Sequence, residues 1–387
     1  MAAQTWVLTD VEQGIYTDDF ALSSDELGLE PGSWSFSKRR LRGGRSDGVD
    51  EVRVQQGDFS FSVLPTRGMS VWKAWLGDWE VGWKSPVRGP VHPRFVPVAE
   101  PSGLGWLDGF DELLVRCGLE SNGAPEFEDN GRLRYSLHGR IANTPAHRVE
   151  VRIDSDSGDI SVTGLMEESR FLFHHWRLTS TITARRGETR FRVRDEVENL
   201  SGRDGEMQLL YHINLGAPLL EEASEVIVAA KTVAPKDHRA AQDIATWSQF
   251  AAPQAGYAEQ VYFFDMATDA AHNAAALLKD ARGSRGVTVR YNTQKLPHFI
   301  LWKNTGALPD GYVAGLEPST NFPNTRTFEG KHGRVVKLPP GGKAVFEVQV
   351  DVHGDAVAVQ NAEAVVRNLQ PNSPTVLTTP HKDWSPG

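Results

Sequence analysis

Ala344-Val345-Phe346-Glu347-Val348-Gln349-Val350-Asp351-Val352 repeats with a period of two. That is the repeat of a pleated strand with one face in a core and the other in water. Ala344, Phe346, Val348, Val350 and Val352 share the apolar face; Glu347, Gln349 and Asp351 share the opposite one. Pro339-Pro340-Gly341-Gly342, immediately upstream, is turn chemistry that delivers the chain into this strand. Working outward, Phe59, Phe61 and Val63 alternate in the same way. Val149, Val151 and Ile153 lead through a turn at 155–159, containing Gly158, to Ile160 and Val162, which predicts a hairpin. Residues 178–183 and 189–197 flank Arg185-Arg186-Gly187-Glu188 and predict a second.

Helical signals are few. Residues 356–369 predict a short helix, whereas the Ala-rich stretch 270–278 sits between strand-like runs and is a poor helix candidate. The last residues, 371–387, carry four prolines among polar neighbours and predict a flexible tail. Many short strands separated by turns, without alternating helices, predict an all-β sandwich or barrel. No composition shift marks a linker between residues 5 and 354, and no short-period repeat appears. The expectation is one β-domain over 1–354, followed by the helix and tail at 355–387.

With 40% apolar residues the 387-residue chain can build a sizeable core. Its 11 Trp and 17 Phe serve either as core filling or as flat walls for the apolar face of a sugar ring. A net charge of −9, with only short basic runs such as Lys38-Arg39-Arg40, argues against a nucleic-acid partner. Cys117 is the single cysteine, so no intrachain disulfide forms and a reducing compartment fits. In its apolar run, 113–119, it reads as a small buried hydrophobe. No leader-like segment opens the chain and no run of about 20 apolar residues occurs, so a cytoplasmic location and no membrane span are expected.

Chemistry concentrates at three places. His138 follows a strand-like run and precedes Gly139, which permits a sharp turn or close approach of a ligand; Arg140 adds a cationic fork. His212 and Asn214 share one face of the otherwise apolar strand 207–215, where they either pair or line a cavity. Glu317 stands between apolar Leu316 and Pro318, as either a desolvated base or half of an ion pair. Trp302-Lys303 offers a sugar platform with an anchor, or a core Trp beside a surface Lys. Arg67, at a strand end after Leu64-Pro65-Thr66, and Arg116, in an apolar setting where an arginine needs a partner, could each bind substrate hydroxyls. His174 and His175 are adjacent, so they point to opposite faces and make no metal clamp. Neither zinc-binding His/Cys patterns nor a Gly-rich phosphate loop is present, so no metal and no cofactor are expected. A Gly-x-Ser-x-Gly elbow is also missing.

The order Leu137-His138-Gly139, Tyr211-His212-Ile213-Asn214-Leu215 and Leu316-Glu317-Pro318 resembles the aldose 1-epimerase (galactose mutarotase-like) superfamily, over roughly residues 40–352. Cys117-Gly118-Leu119, Asn122-Gly123-Ala124-Pro125, Pro145-Ala146 and Trp302-Lys303 resemble a less-characterised branch of it. Two positions depart from the family pattern: Arg140 replaces a second glycine, and only Ile213 separates the second histidine from the asparagine. The resemblance implies a β-supersandwich with a sugar pocket on the concave face of a sheet. It implies Glu317 as the base that deprotonates the anomeric hydroxyl, His212 as the acid at the ring oxygen, and His138 as a hydrogen-bonding assistant. For the family's pocket arginine and aspartate it offers Arg67 and Asp265. Arg140, Arg67 or Lys303 facing the pocket would signal an acidic or phosphorylated sugar. Two other readings stay open: a non-catalytic carbohydrate-binding protein, and a lyase, hydrolase or isomerase acting on a keto-sugar or sugar acid.

Overall fold

The computed structural model describes residues 3–27, 33–154, 157–370 and 372–386. Two large sheets carry the fold. One has ten strands, in the spatial order Glu225–Val228, Asn273–Lys279, Gly286–Asn292, Lys343–His353, Arg190–Asn199, His174–Ala184, Ile160–Arg170, Arg148–Ile153, Gln4–Asp10 and Ile15–Tyr16. The other has fourteen strands among the described residues. Its middle runs Ala230–Pro235, Gln260–Met266, His298–Thr305, Tyr312–Ser319, Gly205–Gly216, Leu114–Leu119, with every neighbour antiparallel.

Lys343–His353 is the strand that the alternation at 344–352 predicts, held between Arg190–Asn199 and Gly286–Asn292. Both predicted hairpins form, with Ile153 opposite Ile160 and Ala184 opposite Phe191; residues 155 and 156 of the first turn lie outside the described residues. The Ala-rich stretch 270–278 is strand from Asn273 onward. Helix propensity yields here to packing: small Ala275 lets the helix Ala356–Asn368 settle Ala362 and Val366 close to the sheet. Asp355 caps that helix by accepting from the Ala358 N–H.

The C-terminal segment makes defined contacts with the rest of the fold. Thr375–Val376 pairs in parallel with Thr232 and Val233. Trp384 packs on Phe322 with ring centroids 5.5 Å apart, its carbonyl accepts from Asn324, and Arg334 donates to the Asp383 carbonyl. A polar, proline-rich segment has no core of its own, but it can dock on one; residues 371 and 387 lie outside the described residues.

Side chains alternate across the larger sheet. In the His212 strand, Leu209, Tyr211, Ile213 and Leu215 enter the main core between the two sheets. Leu210 points the other way, into a second cluster with Val115, Cys117, Val261, Phe263, Ile300 and Val313. Connecting segments bring Trp83, Trp106, Phe110 and Phe322 over that second face. The site is built there, on the side of the larger sheet turned away from the smaller one. Among the described residues no helix is long and apolar enough to cross a membrane.

Candidate active site

Register sets the site. Glu317 stands opposite Ile300, Gly315 stands opposite both Trp302 and Asn214, and Trp302 stands opposite Val261. Paired residues share a face and so do residues two apart, so His212, Asn214, Glu317 and Trp302 all project from the outer face. His212, Glu317 and Trp302 open into a cavity of about 600 Å³. Trp83, Trp106, Phe110 and Trp302 line it, with Leu104 and Leu107 exposed beside it. A hollow of this size with aromatic walls and a few convergent polar groups is the ordinary shape of a small-molecule site.

Buried at this site, Nε2 of His212 lies 3.2 Å from Oε1 of Glu317. On the other side of the ring, Nδ1 lies 2.5 Å from Oδ1 of Asn214. The Asn214 amide nitrogen donates to the carbonyls of Glu112, at 3.0 Å, and His212, at 3.2 Å. Burial is the main force on the proton equilibria here. It holds the Glu317 carboxyl well above the usual range, and nearby Glu259 adds to the rise while Lys236 opposes it. It drives His212 down to about 3, helped by His138 and opposed by Asn214.

His138 reaches the same cavity from a loop. Its backbone has φ +57° and Gly139 follows with φ +70°, two left-handed residues in succession. A Cβ at Gly139 would meet the Ser121 carbonyl oxygen at 2.2 Å, so only glycine fits this turn. The turn directs the His138 ring edge-on to Trp106, centroids 4.7 Å apart, and to 5.5 Å from the His212 ring. Nδ1–H donates to the Asn122 carbonyl at 2.8 Å, which leaves Nε2 as the free nitrogen; burial lowers the ring to about 4. Trp302 is fixed by its indole N–H, which donates to Glu259 at 2.7 Å.

Thus His138, His212, Glu317 and Trp302 line one cavity, with Asn214 directly behind His212. The other candidates lie elsewhere. Arg67 is buried, ion-paired with Glu112 at 2.8 Å and donating to the Gly109 carbonyl, so it braces the loop that carries Trp106 and Phe110. Arg116 points into the inter-sheet core and binds Asp195 and Ser180 of the smaller sheet. One position out of step with Trp302, Lys303 turns to the other face and donates to the carbonyls of Thr246, Trp247 and Gln249, its pKa brought down to about 8 by burial. Arg140 is exposed in a separate groove with Arg132, Arg134 and Arg170. Asp265 is exposed and paired with Lys231. Arg67, Arg116, Arg140 and Lys303 therefore do not line this cavity; for Arg116 and Lys303 it is parity along the strand that decides which face they take.

A family model described as a domain of unknown function, DUF4432, matches residues 46–352. The crystal structure of a candidate aldose 1-epimerase from Klebsiella pneumoniae subsp. pneumoniae MGH 78578 is 32% identical, with TM-score 0.94, and the match covers 98% of this chain and 99% of that one. The chain belongs to the DUF4432 family, within the aldose 1-epimerase (galactose mutarotase-like) superfamily. More distant structures share the fold of this DUF4432 chain. A galactose mutarotase-like protein from Clostridium acetobutylicum is 13% identical with TM-score 0.55, covering 82% of this chain and 98% of that one. The galactose 1-epimerase of Lactobacillus acidophilus NCFM is 11% identical with TM-score 0.54, covering 83% and 99%. No curated protein matches.

The sequence reading missed Lys236, Glu259, Trp83, Trp106 and Phe110, all of which line the cavity. Lys236 has no carboxylate within ion-pair distance among the described residues, and it is the cavity's one lysine or arginine among them. One signal was available for the aromatics: Gly103, Gly105, Trp106, Gly109 and Phe110 set large apolar groups into glycine-rich loop chemistry. Lys236 follows a strand end and carries no local mark.

Proposed function

We propose that this protein is a sugar mutarotase, an isomerase that interconverts the anomers of a sugar by opening and reclosing its hemiacetal ring. The observation that carries the reading is the His212–Glu317 couple, 3.2 Å apart within an aromatic cavity of pyranose-compatible size. Ring opening takes one proton off the anomeric hydroxyl and puts one on the ring oxygen, and the couple supplies both partners in one place. The 3.2 Å spacing suits the two oxygens of one anomeric carbon. Trp302 offers a flat face to the sugar's C–H groups, His138 Nε2 accepts from a hydroxyl, and Lys236 and Glu259 add polar groups to the same cavity. Since the product differs only at the hemiacetal carbon, the reaction consists of proton transfers and one bond rotation.

Polarimetry on freshly dissolved single anomers of neutral sugars, sugar acids and sugar phosphates tests this. Wild-type protein should speed equilibration of one class, and Glu317→Gln should lose about 10²–10⁴-fold in rate while still binding that sugar. Binding without acceleration by wild type would make the protein a carbohydrate-binding module instead.

A further inference from the structure

We propose that the substrate is a sugar acid, a uronate whose carboxylate, at the end of the sugar remote from the anomeric carbon, is held by Lys236. This rests on the mutarotase reading for where the anomeric carbon sits, and on the cavity's own charges for the carboxylate.

The sheet places Lys236. Pro235 stands opposite Tyr262, and the Lys236 backbone N–H extends that ladder by donating to the Val261 carbonyl. Val261 stands opposite Trp302, Trp302 opposite Gly315, and Gly315 opposite Asn214. Lys236 therefore ends the row of outward-facing residues on which the site is built, and its side chain lines the cavity. Three steps across the sheet separate its strand from that of Glu317, about 14 Å at the usual strand spacing. A pyranose lying over Trp302 and the long lysine side chain together cover that span. With the anomeric carbon at the His212–Glu317 couple, the far end of the sugar is turned toward Lys236. The ammonium acts on both Glu317 and His138 electrostatically, as expected of a charge that faces the same hollow.

Charge selects the group that belongs there. Lys236 is half-buried, is the one lysine or arginine among the described lining residues, and has no carboxylate of the described residues within ion-pair distance. The acids nearest in sequence and register have other partners. Asp237 accepts from the Ala240 N–H, and Glu259 accepts from the Trp302 indole. An ammonium left without a protein counter-ion in a partly dehydrated wall is a charge that a ligand can match through a charge-assisted hydrogen bond. Glu259 and Asp310, also on the cavity wall, set the limit. They disfavour an anion anywhere except against the ammonium, and they repel a phosphate dianion about twice as strongly as a carboxylate. One compact single charge at one end of an otherwise neutral ring is what this lining accepts.

Titration calorimetry and anomer-exchange NMR on matched sugars test this: glucuronate with glucose, galacturonate with galactose, mannuronate with mannose, and the three hexose 6-phosphates. Wild type should bind one uronate about 10–100-fold more tightly than its parent hexose, the worth of one hydrogen bond between charged groups. It should also bind that uronate more tightly than the 6-phosphate, and the advantage over the hexose should shrink as salt is raised. Lys236→Met should bring the uronate-to-hexose ratio close to one, while Lys236→Arg keeps most of it. A hexose or hexose phosphate bound as tightly as any uronate, no uronate bound at all, or a uronate preference that survives in Lys236→Met would overturn the proposal. Faster anomer exchange of a hexose without any uronate preference would leave the mutarotase reading standing and sink this one. A Lys236-dependent uronate preference without faster anomer exchange would uphold the carboxylate site and overturn the mutarotase reading.

Discussion

Gly315 decides whether the couple fits. Its missing Cβ is the space that Glu317 Oε1 occupies, and Trp302 Cβ closes the third side at 3.3 Å. The nearest clash is with the end of a movable side chain, so Gly315→Ala should fold with a melting point within a few degrees of wild type. It should nonetheless push the carboxyl off His212 and lower kcat by about 10²-fold, the usual effect of misplacing a reacting group by an ångström. Glu317 also leaves a signature in stability. In the unfolded chain it ionises around its ordinary 4.5, while burial keeps it protonated in the folded state. The folded state therefore binds more protons as pH rises past 4.5, and stability falls in that direction. Gln cannot ionise, so calorimetry should find Glu317→Gln more stable than wild type, by a margin that grows as pH rises above about 5. His138 and His212 act with the opposite sign. Kept neutral in the fold, down to about 4 and about 3, they weaken it as pH falls below 6.5. At this scale the sequence was legible where local chemistry was unusual: two polar residues on one face of an apolar strand, and a histidine before an obligatory glycine. Lys236 was not legible, because it follows a strand end and is placed by pairing with the distant Val261, whose carbonyl accepts from its backbone N–H.

At the scale of elements, the two sheets are fastened by polar groups as well as by their core. Arg116, on Leu114–Leu119, meets Asp195 on Arg190–Asn199 at 2.5 Å and 3.0 Å, and donates to Ser180 on His174–Ala184. Tyr211 adds its hydroxyl to Asp195 at 2.8 Å. Every member is buried, so removing one strands the rest. Arg116→Met should cost about 3–5 kcal/mol in denaturant unfolding, and Arg116→Met with Asp195→Leu should recover part of it, since paired apolar replacements leave no unmatched charge. A surface pair such as Lys231–Asp265 should change stability by less than about 1 kcal/mol. The alternation of Val348, Val350 and Val352 made their strand readable, because one face is wet. Strands buried on both faces, such as Tyr312–Ser319 and Leu114–Leu119, show no such period, which is why Arg116 could not be assigned a side from sequence.

Across the whole molecule, composition and strand pattern led to the all-β class, and three short motifs led to the superfamily. The docked C-terminal segment was hidden, since its partners, Thr232, Val233, Phe322, Asn324 and Arg334, lie 49 to 143 residues upstream. Phe322 belongs to the cluster behind the cavity, so Trp384→Ala should loosen that wall: about 1–3 kcal/mol of stability lost, with KM for the sugar raised. The fold is shared by proteins of several kinds, so the chemistry must be read from the sugar itself. Proton NMR of a pure α-anomer freshly dissolved in D₂O does this in one experiment. With wild-type protein the β-anomer signal should rise faster than in the blank, while the C1 and C2 protons persist undiminished, and Glu317→Gln should fall back toward the spontaneous rate. Loss of the C2 proton to deuterium would mean carbanion chemistry of an isomerase or lyase, and no acceleration with any sugar that binds would contradict anomer exchange altogether.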